Sequence, residues 1–208
     1  MVNIGVLISG GGTNLQCLID NINEGNIKGK IQLIISNKEN AYGLTRGRLS
    51  NIESLYVNPR DYNDEEYNMR LLEEFNKREV SLIVLAGYIK VLSSSFIKSF
   101  KGKIINIHPS LIPSFCGKGY YGQKVHEEVL KYGVKFSGAT VHFVDEGTDT
   151  GPIIMQEVVS VDNNETLDTL KNKVLEVEHR LLSQCVKLYC EDRLVINRHH
   201  VFIKERIS

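Results

Sequence analysis

The first half of this chain alternates short apolar runs with segments that carry apolar residues at helical spacing, and this alternation constrains the fold most. The runs are rich in Ile, Val and Leu, which predicts strands buried on both faces. Strands that alternate with helices form the crossover units of a parallel sheet. We therefore predict an α/β fold with a mostly parallel sheet. Its predicted strands cover residues 2–9, 31–36, 54–57, 81–87 and 103–107, and its predicted helices cover 14–24, 41–50, 64–78 and 93–100.

The pattern changes after residue 108. Two closely spaced apolar segments, joined by the polar turn -EGTDTG-, predict an antiparallel hairpin in the C-terminal half. We expect one domain over residues 1–208, with a parallel half over 1–108 and a mixed half over 109–208. The second half is predicted to contain, in order, a loop over 109–121, a helix over 122–132, strands over 139–145 and 152–160, a helix over 165–190 and a short basic tail.

The balanced charge of the chain argues against a nucleic-acid-binding role. Lys plus Arg and Asp plus Glu both number 25 in 208 residues, so the formal net charge is zero. Proteins that track nucleic-acid phosphates are usually basic. No apolar run is long enough to span a membrane, and the N-terminus enters a strand without a charged leader. We expect a cytoplasmic protein with neither nucleic-acid nor membrane partners.

The four cysteines form no CxxC pair and predict free thiols. They are Cys17, Cys116, Cys185 and Cys190. Of these, only Cys116 falls in the loop after the last strand of the parallel half, and nothing around it in the sequence favours a reactive thiolate. No His, Cys or Asp spacing suits a metal, so we predict no metal site.

The stretch -IINIHPSLIPS- contains two polar residues at the end of a predicted strand. Asn106 and His108 are separated by one apolar residue, so both point to the same side of the strand. Pro109 ends regular pairing. The carboxyl ends of the strands are where open α/β sheets bind ligands. These two side chains are therefore candidates for a functional site, although a hydrogen-bonded His at a loop start is the plainer alternative.

A carboxylate for this site could come from the turn -DEGTDTGP-, which holds Asp145, Glu146 and Asp149. A carboxylate beside His108 would raise the pKa of the imidazole and orient the ring. Together with Asn106, a cationic His and an Asp would stabilise a tetrahedral oxyanion and transfer a proton. This is acyl-transfer chemistry without a nucleophilic side chain.

The other histidines receive less specific predictions. His142 has apolar neighbours in -ATVHFV-, which favours a buried, hydrogen-bonded histidine. The remaining four are predicted on solvated faces of helices or in the tail. They are His126, His179, His199 and His200.

The glycine turn -ISGGGTNLQ- does not match either common nucleotide motif. Leu15 stands where a dinucleotide fingerprint needs Gly or Ala, and no Lys-Ser or Lys-Thr follows to make a P-loop. What remains is Thr13, Asn14 and a helix N-terminus, which favour one anion, most simply a phosphate monoester. The alternative is a plain strand–helix turn in which Thr13 or Asn14 caps the helix.

Six segments spread over nearly the whole chain resemble the phosphoribosylglycinamide formyltransferase family. They are -VLISGGGTNLQ- (6–16), -SNKENAYGLTR- (36–46), -VLAGYIKVLS- (84–93), -NIHPSLIPSF- (106–115), -GATVHFVDEGTDTGPIIMQ- (138–156) and -VEHRLL- (177–182). The resemblance implies a Rossmann-like formyltransferase fold. It also implies formyl transfer from 10-formyltetrahydrofolate, a cosubstrate, to the amine of glycinamide ribonucleotide. The products are formylglycinamide ribonucleotide and tetrahydrofolate, in de novo purine biosynthesis.

The resemblance also assigns residues. Asn106, His108 and Asp149 correspond to the family's catalytic residues, and the substrate-binding residues correspond to Gly12, Thr13, Asn14 and, for the ribose, Glu178. The 1–108 half thereby becomes the nucleotide-binding half and the 109–208 half the folate-binding half. The folate-binding positions are Ile89, Lys90, Val91, Leu92, Asp145, Glu146, Gly147 and Thr148. How the folate's glutamate tail is anchored stays open, and we expect a monomer or homodimer.

Two related enzyme families and one binding function are alternatives. Methionyl-tRNA formyltransferase is expected to carry a further tRNA-binding domain and a basic charge. Formyltetrahydrofolate hydrolase is expected to carry an extra N-terminal regulatory domain. A non-catalytic phosphate binder would use only the glycine turn and would have no need of Asn106, His108 and Asp149.

Overall fold

A nine-stranded mixed sheet forms the centre of the computed structural model, which describes residues 1–205. In chain order the strands are β1 (Val2–Ile8), β2 (Gly29–Ser36), β3 (Ser54–Tyr56), β4 (Leu82–Leu85), β5 (Ile104–His108), β6 (Phe136–Phe143), β7 (Ile153–Ser160), β8 (Leu194–Asn197) and β9 (His200–Ile203). They lie side by side in the order β3-β2-β1-β4-β5-β6-β7-β9-β8. The pairs among β1 to β5 are parallel, and β6 is antiparallel to β5 and to β7. The predicted α/β fold class is confirmed, including the antiparallel C-terminal hairpin.

Helices cover both faces of the sheet. They are α1 (Thr13–Asn23), α2 (Tyr42–Leu49), α3 (Asp64–Asn76), α4 (Ser94–Ser99), α5 (Gln123–Tyr132) and α6 (Leu167–Cys190), with a short 3-10 helix at Pro59–Asp61. Apolar residues of α1, α2, α5 and α6 pack on one face of the sheet, and those of α3 and α4 pack on the other. Successive side chains of β1 point to opposite faces of the sheet, so Val6 packs against the first group of helices and Leu7 against the second. Among the helices of residues 1–205, none is both long and apolar enough to cross a membrane.

The direction of strand addition reverses next to β1, and this reversal positions the site. From β1 the chain continues outward through β2 and β3, and then returns to β4 on the other side of β1. Open α/β sheets bind ligands beyond the carboxyl ends of their strands at such a point. The segments after β1, β4 and β5 therefore share one edge of the sheet.

The hairpin of β8 and β9 corrects one prediction, because this segment was predicted to be a basic tail. The two strands pair antiparallel, and β9 joins the sheet through the pairing of His200 with Ile153. Arg and His residues around the turn obscure two very short strands. Their apolar side chains also stay largely outside the core, so no buried face is visible in the sequence. The exposed fractions are 39% for Val195, 40% for Ile196, 56% for Phe202 and 42% for Ile203.

Candidate active site

Asn106, His108 and His142 lie together where β5 pairs with β6. Asn106 and His108 project to the same side of β5, and the strand register sets Asn106 directly opposite His142. The Asn106 Nδ2 atom lies 3.1 Å from His142 Nε2. Both histidines are buried, with exposed fractions of 4% for His108 and 2% for His142. The pairing of two strands therefore builds a buried polar cluster at the end of β5.

A main-chain hydrogen bond shows that Nδ1 of His142 carries a proton. Its Nδ1 lies 2.8 Å from the carbonyl oxygen of Phe143, which can only accept, so Nδ1 carries the proton. His142 Nε2 then accepts from the amide of Asn106. This bond orients the Asn106 side chain. It uses one amide proton and leaves the second for a ligand.

Asp149 enters the cluster from the turn between β6 and β7. One carboxylate oxygen lies 3.7 Å from His108 Nδ1 and the other lies 3.7 Å from His142 Nε2. Its φ of 57° is a left-handed conformation that Asp and Asn tolerate better than most residues. Burial acts to raise the pKa of Asp149, but the His142 and His108 rings and the Gly117 N–H outweigh it and hold this pKa below its usual value. An anion therefore lies between two imidazole rings at neutral pH.

Both ring nitrogens of His108 face a partner. Nε2 donates to the Phe115 carbonyl oxygen over 2.9 Å, and Nδ1 faces Asp149. Burial lowers the pKa of His108 below its ordinary 6.5, although the Asp149 carboxylate and the Phe115 carbonyl act in the opposite direction. We expected the carboxylate to dominate. Burial dominates instead, so the neutral imidazole predominates at pH 7 before a ligand binds.

Main-chain groups of the loop over 109–121 close this cluster. Phe115 supplies the carbonyl that accepts from His108, and the Gly117 N–H donates to Asp149 Oδ2 over 2.8 Å. The loop therefore contacts both titratable groups that it covers. These contacts satisfy buried polar atoms that would otherwise lack partners.

The glycine turn after β1 leads into α1 without a side-chain cap. Gly12 precedes the helix with φ 72° and ψ 33°, a left-handed conformation that favours glycine. A Cβ added at Gly12 would lie 2.7 Å from the Gly43 Cα. The alternative that Thr13 or Asn14 caps the helix is wrong, so the N–H groups of the first turn are available to an anion.

Asn14 bonds across to α6 instead. Its Nδ2 donates to Glu178 Oε2 over 2.7 Å, and both residues are buried. Burial raises the pKa of Glu178 to about 7, although the bond from Asn14 acts to lower it. In the described part of the chain, Asn14 Oδ1 is buried without a hydrogen-bond partner. A hydroxyl or amine of a ligand would satisfy that acceptor.

The first predicted folate segment follows β4. Ile89 and Val91 are apolar yet 42% and 71% exposed, whereas Leu92 is buried. The Ile89 N–H donates to Ser9 Oγ over 3.0 Å, which ties this segment to the end of β1. Lys90 pairs with an acid of α3, Asp64. Two exposed apolar side chains therefore follow β4, the strand that lies next to β5.

The second predicted folate segment is the turn between β6 and β7. Asp145 Oδ1 accepts from the Gly147 N–H over 3.1 Å and from the Thr150 hydroxyl over 2.6 Å, which closes the turn. Glu146, Gly147 and Thr148 are exposed. This turn also carries Asp149, so the geometry of the segment determines where that carboxylate reaches.

His142 is the member of the cluster to which the sequence assigned no site role. It is buried and hydrogen-bonded, as its apolar neighbours predicted. Its position beside Asn106 depends on the register of β5 against β6, which the sequence did not specify. The one available signal was its spacing from Asp149 in the hairpin that was predicted to supply the carboxylate.

His126 corrects a prediction, because it is buried and not on a solvated face. It is 4% exposed on α5, and burial, Lys171 and His108 lower its pKa to about 4. Its Nδ1 has no hydrogen-bond partner among residues 1–205. Helical spacing gives the faces of a helix but not which face meets α6. His199 and His200 are exposed as predicted, and His179 is partly buried.

The cysteines and the metal-ligand residues add no further chemistry to this cluster. The four cysteines are free thiols. Burial and the Asp149 carboxylate raise the pKa of Cys116, which disfavours the nucleophilic thiolate. No group of three or more His, Cys, Asp and Glu within the described residues is arranged to hold a metal ion.

Comparisons with known proteins identify the family of this fold. The sequence model of the formyl transferase family matches residues 2–186. The mixed sheet and its helices are thus the fold of a formyl transferase. The structure of glycinamide ribonucleotide transformylase 1 from Symbiobacterium toebii superposes with a TM-score of 0.93 at 39% identity, covering 99% of this chain and 95% of that one.

Curated relatives show to which family of formyl transferases the chain belongs. Phosphoribosylglycinamide formyltransferase of Bacillus subtilis is 35% identical over 188 residues, which are 90% of this chain and 94% of that protein. The chloroplastic phosphoribosylglycinamide formyltransferase of Vigna unguiculata is 39% identical over 193 residues, which are 92% of this chain but 62% of that protein. The chain belongs to the phosphoribosylglycinamide formyltransferase family. It spans less than two thirds of the plant relative's length.

Replacing Gly12 by Ala is expected to destabilise the fold by about 1–2 kcal/mol, because Ala would have to hold a left-handed backbone against Gly43. Gly11→Ala is the matched control, since a Cβ there meets nothing within 4 Å. Urea unfolding measures both. Equal stabilities of the two variants would contradict this account of the turn.

Glu178→Gln is expected to stabilise the ligand-free protein only at higher pH. Between its ordinary pKa of 4.5 and about 7, the unfolded chain loses this proton while the folded chain keeps it, so stability falls as pH rises through that window. Gln removes the dependence, with a gain of at most roughly 3 kcal/mol above pH 7. Thermal unfolding across pH measures the difference.

Glu176→Gln, an exposed glutamate on the same helix, is the control for the Glu178 experiment. It is expected to leave the pH dependence of stability unchanged. A Glu178→Gln variant with the wild-type pH dependence would show that the buried carboxyl does not titrate as described.

Proposed function

We propose that this chain transfers the formyl group of 10-formyltetrahydrofolate to the amine of glycinamide ribonucleotide. The products are formylglycinamide ribonucleotide and tetrahydrofolate, a step of de novo purine biosynthesis. The observation that carries the proposal is the cluster of Asn106, His108 and Asp149 at the switch point of the sheet. The names of the relatives support the same reaction.

Formyl transfer forms a bond between the amine nitrogen and the formyl carbon, breaks the bond to the folate N10, and moves a proton from the amine to N10. Negative charge develops on the formyl oxygen. Asn106 has one amide proton left after bonding His142, and that proton would donate to this oxygen. Preorganised donors of this kind contribute about 3–4 kcal/mol each in known enzymes.

His108 would donate to the same oxygen, with Asp149 favouring its protonated form as negative charge develops nearby. In the ligand-free state the Phe115 carbonyl occupies the His108 Nε2 proton. The reaction therefore requires Phe115 to move from His108. Asp149 would also accept the amine proton, directly or through water, and pass it to the leaving nitrogen.

The glycine turn and α6 would bind the acceptor nucleotide. The N–H groups of Gly12, Thr13 and Asn14 at the start of α1 suit a phosphate, because the helix dipole favours an anion there. Glu178 would accept hydrogen bonds from ribose hydroxyls. Its raised pKa makes a charged or neutral acceptor accessible near pH 7. In this arrangement the nucleotide contacts both halves of the chain.

The folate would lie between the segment at 89–92 and the turn at 145–148. The exposed Ile89 and Val91 would pack against the flat face of the pterin ring, and the main-chain groups of both segments would bond its polar edge. The formyl donor supplies the activated one-carbon unit. The chain's own residues bind it, exclude water and place it against the acceptor amine. We propose a cytoplasmic enzyme with these two small-molecule substrates.

A spectrophotometric assay with 10-formyltetrahydrofolate, run with and without glycinamide ribonucleotide, tests the proposal. Folate turnover that requires the nucleotide is the expected result. Turnover without it would indicate that water is the acceptor and that the chain is a hydrolase. Absence of turnover with retained nucleotide binding would leave only a phosphate-binding role.

Asp149→Asn is expected to lower kcat by on the order of 10²-fold, because it removes the anion while the left-handed backbone accepts Asn equally well. Substrate affinity is expected to change little. Steady-state kinetics across pH measure the effect, with Asp168→Asn, an exposed acid of α6, as the control. Wild-type kcat at every pH would remove Asp149 from the mechanism.

A further inference from the structure

Arg46 of α2 lies against the glycine turn, and no acid of residues 1–205 forms an ion pair with it. Its Nε donates to the Gly11 carbonyl oxygen over 2.8 Å, and its Nη1 donates to Gln16 Oε1 over 3.2 Å. Both acceptors are neutral oxygens. The guanidinium carbon lies 5.1 Å from the centre of the Tyr42 ring, one helical turn earlier. A positive charge that is held in place but not neutralised therefore borders the glycine turn.

Two glycines let α2 approach this turn closely. The Gly43 N–H donates to the Gly10 carbonyl oxygen over 3.1 Å, and a Cβ added at Gly43 would lie 3.3 Å from the Gly12 Cα. A Cβ added at Gly12 would in turn lie 3.5 Å from Arg46 Cδ. Gly43 and Arg46 are three positions apart, so they lie on the same face of α2. This face of the helix thus binds two successive carbonyls of the turn, those of Gly10 and Gly11.

The bond from Arg46 determines the direction of the Gly12 N–H. The Gly11 carbonyl and the Gly12 N–H belong to one trans peptide group, in which they point in opposite directions. Because Arg46 holds the carbonyl toward α2, the N–H is turned away from α2. Gly11 is exposed and glycine has wide backbone freedom, so this peptide would be free to rotate without the bond.

A buried acceptor in the first turn of α1 independently marks this place as a ligand site. Asn14 is 7% exposed, and its Oδ1 has no hydrogen-bond partner among the described residues. Its Nδ2 already donates to Glu178. A buried oxygen without a partner needs a donor from a ligand. A sugar hydroxyl of a nucleotide whose phosphate lies on the turn would supply that donor.

We propose that Arg46 is a positioning residue for the phosphate of the acceptor nucleotide. Its side chain fixes the peptide group whose N–H would bind the phosphate, and its positive charge stabilises the phosphate dianion at the turn. Arg46 thereby makes the site prefer a phosphorylated acceptor to the nucleoside that lacks the phosphate. The inference rests on the proposed function and concerns the binding of the acceptor, not the transfer of the formyl group.

Calorimetric titrations with glycinamide ribonucleotide and with its dephosphorylated nucleoside test the inference. Arg46→Met keeps an apolar stem and removes both the donors and the charge. It is expected to lower the preference for the nucleotide, measured as the ratio of the two dissociation constants, about ten-fold, as for hydrogen bonds to charged groups. Arg46→Lys, which keeps a point charge without the planar fork, is expected to show an intermediate preference. Added salt should weaken the preference of the wild-type protein more than that of Arg46→Met.

Arg48→Met is the matched control, because Arg48 carries the same charge on the same helix and is exposed. An equal loss of preference for Arg48→Met would reduce the effect to general charge and overturn the inference. Equal weakening of nucleotide and nucleoside binding by Arg46→Met would also overturn it, since that pattern indicates a disrupted turn.

Arg46→Gln keeps a donor for the Gly11 carbonyl and gives the comparison if Arg46→Met folds poorly. An unchanged preference in Arg46→Gln would overturn the role of the charge. Nucleotide binding by the wild-type protein without folate turnover would count against the proposed function and leave the test of Arg46 intact. A wild-type protein that does not bind the nucleotide would overturn both.

Discussion

The antiparallel register of β5 against β6 is the constraint on which the site depends. It sets Asn106 opposite His142, and the pairs on either side, Ile105 with Phe143 and Ile107 with Val141, face the core. A slip by one residue would turn those apolar side chains out of the core and the polar ones into it. Burial of the flanking residues therefore specifies the position of the polar cluster, and packing and chemistry are set by the same pairing.

Two carboxylates, Asp149 and the more deeply buried Glu178, show how local partners decide the charge of an acid. Asp149 has two imidazole rings and the Gly117 N–H around it, and these hold its pKa low against burial. Glu178 has one amide donor from Asn14, and burial prevails to raise its pKa to about 7. The two pKa values thus move in opposite directions because imidazole rings border Asp149, whereas burial of Glu178 is opposed by a single amide donor. The fold assigns one permanent anion and one group that titrates near neutrality.

Local periodicity in the sequence predicted most of the strands and helices. The contacts between segments that are distant in the chain were the hardest to predict. The parallel strands, the hairpin of β6 and β7 and the alternation of Asn106 and His108 follow from patterns of two and of three to four residues. The hairpin of β8 and β9 did not, because most of its apolar residues are exposed and leave no clear burial pattern. His142 beside Asn106 and Asp64 beside Lys90 are contacts between distant segments, 36 and 26 residues apart. The strand register and the docking of helices determine these contacts, and the local spacing of residues predicts neither.

The contact of Phe115 with His108 has a consequence for the proposed reaction. A buried N–H without an acceptor costs about 1–3 kcal/mol, and the Phe115 carbonyl removes that cost before a substrate binds. Exchanging this carbonyl for the neutral formyl oxygen of a substrate gains little, because one neutral acceptor replaces another. Exchanging it for an oxyanion gains a charge-assisted bond in a site that excludes water. In the proposed reaction, the loop at 109–121 would therefore make His108 discriminate between the ground state and the transition state, which is the condition for an interaction to raise kcat.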